Sequence, residues 1–186
     1  MVVLKNSDRQ RLHWGCGTKG KPGWINADIL PGPGVDVSGD ILDGLPLATE
    51  SMDYVVSIHA LPEIAYSQIV PVLQELRRVL KTGGVLRLSL PDFEKALQAY
   101  TENDPHYFLI PDEEMKSRGG KLITQLLWRG AIRTIFITDF VEEMLFKAGF
   151  SQVHRCSFQT TQSQFGDEIL ELDDRPKESL FIEAVK

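Results

Sequence analysis

Two glycines stand one residue apart in Leu12-His13-Trp14-Gly15-Cys16-Gly17, where a short strand-like run, Arg11 to Trp14, stops abruptly. A main chain without side chains at the carboxyl end of a strand lets a ligand approach the backbone closely. A dinucleotide site built this way needs a third glycine opening a helix, and an acidic residue about twenty positions further on to hold the ribose. Here Lys19-Gly20-Lys21-Pro22-Gly23 follows, which is not a helix start, and Asp28 arrives about half as far along as that pattern asks. Without a helix N-terminus the loop is a poor cradle for pyrophosphate. A cofactor with a ribose but no phosphate fits better, and S-adenosylmethionine is such a molecule. The same two departures argue against a nicotinamide-dependent oxidoreductase.

Other reactive residue types are less well placed. Cys16 lies between the glycines with no identifiable partner base, so a small buried filler is the better reading than a nucleophile. His13, His106 and His154 fall in separate segments with no metal-ligand spacing, and no zinc site is expected. Lys116, Arg118, Lys121, Arg129 and Arg133 form a local basic stretch, which reads either as a solvated face or as a grip on an anionic acceptor.

The elements that must position these residues follow from periodicity and turn chemistry. Met1 to Gln10 is polar after its first four residues and is expected to fray. Trp24 to Ile29 reads as extended, Pro31-Gly32-Pro33-Gly34 as a loop, Val35 to Val37 as a short strand, and Tyr54 to Ile58 as a buried strand. Ile69, Val72, Leu73, Leu76, Val79 and Leu80 recur at helical spacing, with Pro71 near the start and Lys81-Thr82-Gly83-Gly84 as a cationic last turn and glycine stop. Val85 to Leu90 reads as a strand, and Asp92 as the N-cap of a helix running to about Tyr100. A mixed region follows from Thr101 to Ile137, with a turn at Asn103-Asp104-Pro105 and a helix around Leu122 to Trp128. Asp139 and Glu142 resemble a capping box opening a helix that Gly149 closes. Strands near Gln152 to Phe158 and Leu180 to Val185 flank a polar, acidic segment read as a long loop.

Strand and helix alternate through the middle of the chain, which predicts an α/β, Rossmann-like, mostly parallel sheet with helices packed on it and an antiparallel last strand. At 186 residues and 42% hydrophobic, residues 1–186 read as a single domain with a real core. The 20 basic and 26 acidic residues leave a net charge of −6, which argues against a nucleic-acid substrate or a general attraction to anionic membranes. Cys16 and Cys156 lie far apart, there is no apolar leader-like region, and no stretch approaches the length of a membrane span. Those features point to a cytoplasmic protein.

The joint order of several short blocks resembles the small class I S-adenosylmethionine-dependent methyltransferases. The glycine bend is followed by Pro22-Gly23-Trp24-Ile25-Asn26-Ala27-Asp28, then Gly39-Asp40-Ile41, Leu45-Pro46-Leu47, Ser51-Met52-Asp53-Tyr54-Val55-Val56 and Ser57-Ile58-His59-Ala60-Leu61. Arg78-Val79-Leu80-Lys81-Thr82-Gly83-Gly84 and Lys147-Ala148-Gly149-Phe150 extend the match. The resemblance implies that the Gly15 to Gly17 backbone faces the methionine part of the cofactor. It implies that Asp28 accepts from the ribose hydroxyls, that Asp40 accepts from the adenine amino group with Ile41 on the ring, and that Ser57 contacts the amino-acid end through its backbone. It leaves His59 beside the transferred methyl group. His59 is then either a general base or a hydrogen-bonded structural histidine; Glu63 either orients an acceptor hydroxyl or is a charge at a helix start. Trp14 either touches the sulfonium or belongs to the core.

Two departures from the family pattern bear on function. Pro62-Glu63 stands where Glu-His is common, which touches the acceptor side, and Thr82-Gly83-Gly84 replaces Pro-Gly-Gly. The links from Gly17 to Ile25 and from Ile29 to Val35 are shorter than the dozen or more residues of an ordinary parallel crossover, so the early crossover helices must be trimmed. One flank of the sheet is therefore expected to be thinly covered, leaving room for a second subunit and a homodimer. No Asn/Asp-Pro-Pro-Tyr/Phe signature of nucleobase amino methylation follows the Val55 strand. The expected function is methyl transfer to a small-molecule or sugar-type acceptor, under a lid formed by about 94–138. The alternative is a non-catalytic protein that keeps the fold as a binding or scaffolding partner.

Overall fold

A computed structural model describes residues 9–186, and the fraying expected of the N-terminal stretch concerns residues that lie, up to position 8, outside that range. Seven strands form one sheet: β1 (Arg11–Trp14), β2 (Ile25–Asp28), β3 (Val37–Ser38), β4 (Met52–Ile58), β5 (Leu80–Pro91), β6 (Gln152–Cys156) and β7 (Ser179–Val185). Their spatial order is β3-β2-β1-β4-β5-β7-β6. Neighbouring pairs from β3 to β5 are parallel, while β7 is antiparallel to both β5 and β6, so β7 alone runs against the rest. The chain moves outward from β1 to β3 on one side and from β4 to β5 on the other, which places the switch point between β1 and β4.

Alternation along the strands divides the core. Leu12, Val55, Leu86, Leu88, Leu180, Ile182 and Ala184 face one side, where α1 (Ile69–Val79) and α4 (Thr138–Lys147) lie. Helix α1 buries Ile69, Val72, Leu73, Leu76 and Val79 on one stripe, and Pro71 sits in its first turn, where a missing N–H costs nothing. The carboxyl rim carries α2 (Phe93–Glu102) and α3 (Arg118–Leu127), which pack on each other through Ala96, Ala99, Leu122 and Leu126 together with Tyr107 and Phe108. Asp92 caps α2 by accepting from the Lys95 amide at 3.1 Å.

Two local expectations need correction. The glycine pair does not stop α1: the helix ends at Val79 with Arg77 and Arg78 in its last turn, and Leu80 already pairs with Met52 in the sheet. Burial of Leu80 pulls the chain directly into β5, and Gly83 and Gly84 lie inside the strand, where a Cβ on Gly84 would come 2.8 Å from the Lys81 carbonyl. Asp139 is not a cap either; α4 begins one residue earlier, and Thr138 donates its hydroxyl to Glu94 instead.

The larger correction concerns the flank expected to be bare. The connections β1–β2 and β2–β3 indeed contain only turns, and β3–β4 only one 3-10 turn at Ile41–Asp43. The chain fills the space with the segment between β6 and β7. Its 3-10 turn, Gly166–Leu170, brings Phe165, Ile169 and Leu170 onto Trp24, Tyr54, Val56 and Val85 on the opposite sheet face. Arg87, fully buried in mid-strand, fastens this cover. Its Nε and Nη2 donate to Asp173 at 2.9 and 2.5 Å, and Nη1 to Glu183 at 2.8 Å. Glu183 also accepts from Thr161 and from the Gln162 amide, so both buried carboxylates are satisfied by this one network. The face on which a second subunit was expected to pack is thus covered by the chain itself. Among the described residues, no helix is long and apolar enough to cross a membrane.

Candidate functional site

The carboxyl ends of β1, β2, β3, β4 and β5 open into one cavity of about 590 Å³, of the size that holds a small-molecule ligand. Trp14, Gly15 and Gly17 bound it from β1, Asp28 from β2, Asp40 and Ile41 from beyond β3, His59 and Glu63 from beyond β4, and Asp92 from the end of β5.

The floor is a bend of bare main chain. The amides of Gly15 and Cys16 both donate to the Ala27 carbonyl, at 2.8 and 3.1 Å, which fastens the bend to β2. Gly15 has φ +72°, and a Cβ there would lie 2.1 Å from that of Ala60, so only glycine fits. A Cβ on Gly17 would meet nothing within 4 Å, because this side of the bend faces open space. Asp28 holds the bend: Oδ2 accepts from the Gly17 amide at 2.7 Å and Oδ1 from the Leu30 amide at 3.2 Å. A carboxylate offers about four lone-pair sites, so roughly two remain for a ligand. Asp40 accepts from the Leu42 amide through Oδ1 at 2.9 Å, capping the 3-10 turn that follows β3. Beside it Ile41, packed in the core, offers an apolar edge to the cavity.

His59, Glu63 and Trp14 also reach this cavity, but Cys16 and Ser57 do not. Cys16 lines a second cavity of about 250 Å³ behind the bend, and burial pushes its thiol above the ordinary value, as suits a filler. Ser57 is buried with its Oγ unpartnered. Trp14 is a core residue with one edge on the cavity.

His59 sits at φ +56°, donates its amide to the Ser89 carbonyl, and shares a 2.8 Å hydrogen bond between Nε2 and Ser179 Oγ. Burial, reinforced by the Arg175 charge, lowers its pKa to about 3. The ring is therefore neutral near pH 7, and a group whose conjugate acid is that strong takes up protons poorly. These surroundings favour the structural reading of His59 over the general base. Glu63 is the reverse case: although the residue as a whole is exposed, partial desolvation at the cavity wall first, and the Asp28 charge second, raise its carboxyl above the ordinary range.

Residues that sequence reasoning missed complete the walls. Tyr107, Leu109, Gln125, Leu126, Trp128 and Ile132 arrive from the stretch between α2 and α4. Of the basic stretch only Arg133 reaches the cavity; Lys121 pairs with Asp112, Arg129 pairs with Glu114, and Arg118 lies over Tyr100. Arg175 and Glu178 come from the segment between β6 and β7, for which the linear sequence carries no motif. The one available signal was Arg87, a lone charge inside an apolar strand, which had to find a buried partner and so had to draw some distant acidic segment onto the sheet.

Comparison with known proteins bears on the fold that carries this cavity. Residues 24–88 match the methyltransferase domain family. No curated protein matches the chain. A SAM-dependent methyltransferase from Thermotoga maritima is 20% identical and superposes with a TM-score of 0.57, over 97% of this chain and 83% of that one. An S-adenosylmethionine-dependent methyltransferase from Mesorhizobium loti is 17% identical, with a TM-score of 0.55, over 100% of this chain and 94% of that one. The cyclase SpnF is 16% identical, with a TM-score of 0.53, over 96% of this chain and 74% of that one. At these identities the likeness is one of fold. The chain has the Rossmann-like fold seen in these S-adenosylmethionine-dependent methyltransferases, and its residues 24–88 match the methyltransferase domain family.

Proposed function

We propose that this protein binds S-adenosylmethionine in the 590 Å³ cavity and catalyses methyl transfer to a small molecule or sugar-type acceptor. The observation that carries the reading is convergence: two carboxylates and a bend that tolerates no side chain at Gly15 border one hollow at the sheet's switch point. Asp28 would accept from the ribose hydroxyls and Asp40 from the adenine amino group, with Ile41 against the ring. The cofactor supplies an electrophilic methyl group on a sulfonium, so what remains for the protein is alignment and exclusion of water.

The stretch from about 94 to 138 would act as the acceptor lid. Its contribution to the cavity is mostly apolar and aromatic, with Gln125 and Arg133 as its polar members, and Glu63 and Asp92 add carboxylates that would accept from the hydroxyl groups of a polyol or sugar. A total volume of 590 Å³ leaves room beside a nucleoside for a small acceptor. Glu63, with its raised pKa, is the better placed residue to hold the proton released by an attacking hydroxyl. His59 would hold the ends of β4 and β7 together beside the reacting atoms.

The test is calorimetric binding of S-adenosylhomocysteine to the wild type and to Asp28→Asn, which keeps an oxygen for the Gly17 amide. Loss of charge-assisted hydrogen bonds worth about 1.5–3 kcal/mol weakens binding roughly 10- to 100-fold. Equal affinity in the two proteins removes Asp28 from the site, and no binding to the wild type favours the scaffold reading.

A further inference from the structure

Building on the S-adenosylmethionine reading, we propose that Arg175, delivered by the segment between β6 and β7, binds the carboxylate at the cofactor's amino-acid end. The need for such a residue follows from what the fold omits. The connection after Gly15–Gly17 contains only turns, so no helix N-terminus stands there to offer its amides and partial positive charge to an anion. A carboxylate lying along the bend requires a positive partner from elsewhere in the chain.

Arg175 meets that requirement by position. The main cavity and the 250 Å³ cavity behind the bend share Gly15, Gly17, Ile58 and Arg175 as lining residues, so Arg175 is the cation at the junction, against the glycines. Lys19 borders only the rear cavity and is held by Asp174 at 2.6 Å. Arg133 borders only the main cavity, among residues of the lid stretch. The guanidinium of Arg175 also retains unused donors. Its ion pairs with Asp174 at 3.4 Å and Glu178 at 4.0 Å are long ones that take no hydrogen bond, and since its Nε is itself buried, the terminal Nη groups are the donors a ligand would meet. A planar fork of this kind matches a carboxylate with two parallel bonds, which an ammonium cannot do.

The placement is also rigid. The side chain of Asp173, two residues earlier, is fully buried and accepts two hydrogen bonds from Arg87, so the backbone that presents Arg175 is fastened to the middle of the sheet. The segment that replaces the missing crossover helices as a cover thereby replaces them as a source of positive charge as well.

The experiment compares two ligands on the full chain by calorimetry. S-adenosylhomocysteine carries the amino-acid end; 5′-methylthioadenosine keeps the adenosine and the sulfur but lacks it. Arg175→Ala and Arg175→Gln are expected to weaken S-adenosylhomocysteine about 10- to 100-fold while leaving 5′-methylthioadenosine within about twofold. Unchanged S-adenosylhomocysteine affinity in either variant overturns the proposal, and so does an equal loss of both ligands, which would mark a general effect on the cavity. A wild type that binds neither ligand overturns the cofactor reading itself, whereas a wild type that binds both with an indifferent Arg175 overturns this inference alone.

Discussion

His13 and His59, both withdrawn from solvent, should make stability depend on pH below about 6.5. Burial lowers the pKa of His13 to about 4 and that of His59 to about 3, against about 6.5 in an unfolded chain. Below about 6.5 the unfolded state therefore binds protons that the folded state refuses, so stability is complete above that value and falls as pH drops toward the folded values. At about pH 5.5 each unfolded histidine is protonated roughly ten to one, a factor of about 11 in the unfolding equilibrium, or about 1.4 kcal/mol. The pair should cost the protein about 3 kcal/mol between about pH 7.5 and 5.5. Urea denaturation at the two pH values measures it. His13→Gln and His59→Asn, the latter because asparagine tolerates the left-handed backbone at that position, should each lose about half of the dependence, and the double variant nearly all of it. A double variant with the wild-type pH slope, or a proton NMR titration placing either ring above about pH 6, would refute the reasoning.

Three further outcomes follow from the geometry. Gly15→Ala should abolish S-adenosylhomocysteine binding and destabilise the fold by about 1–3 kcal/mol through the clash with Ala60 and the left-handed backbone; Ala60→Gly in the same chain should recover stability in a thermal shift assay. Glu63→Gln should lower kcat with little change in cofactor affinity and remove the limb of the pH–rate profile that rises as Glu63 deprotonates, a limb lying above the ordinary carboxylate range. Arg87→Met leaves Asp173 and Glu183 buried without their cation and should cost about 3–5 kcal/mol in urea unfolding; a loss under about 1 kcal/mol would show that the network does not hold the cover in place.

Most of the fold could be read along the chain because short-range signals agreed with it. Helix α1 and strands β4, β5 and β7 announce themselves by periodicity, and Asp92 by its capping position. The carboxyl-end rule points Gly15, Gly17 and Asp28 to one rim, family resemblance adds Asp40 and Ile41, and all five line the same cavity. The stop of α1 was misread because Gly83 and Gly84 look like a cap in isolation, whereas pairing of Leu80 with Met52 ends the helix earlier. The state of His59 was equally hidden, since its ring is defined by Ser179 and Arg175, more than a hundred residues away.

The amino-acid order fixes which segments prefer to be strand or helix and how short the early crossovers are, because those preferences depend on neighbours within a few residues. What covers the sheet face those crossovers leave bare, and which cation reaches the glycine bend, was settled only in three dimensions. Arg87 could not stay buried alone, and the acidic stretch that neutralises it carries Ile169 to Trp24 and Arg175 to the cavity.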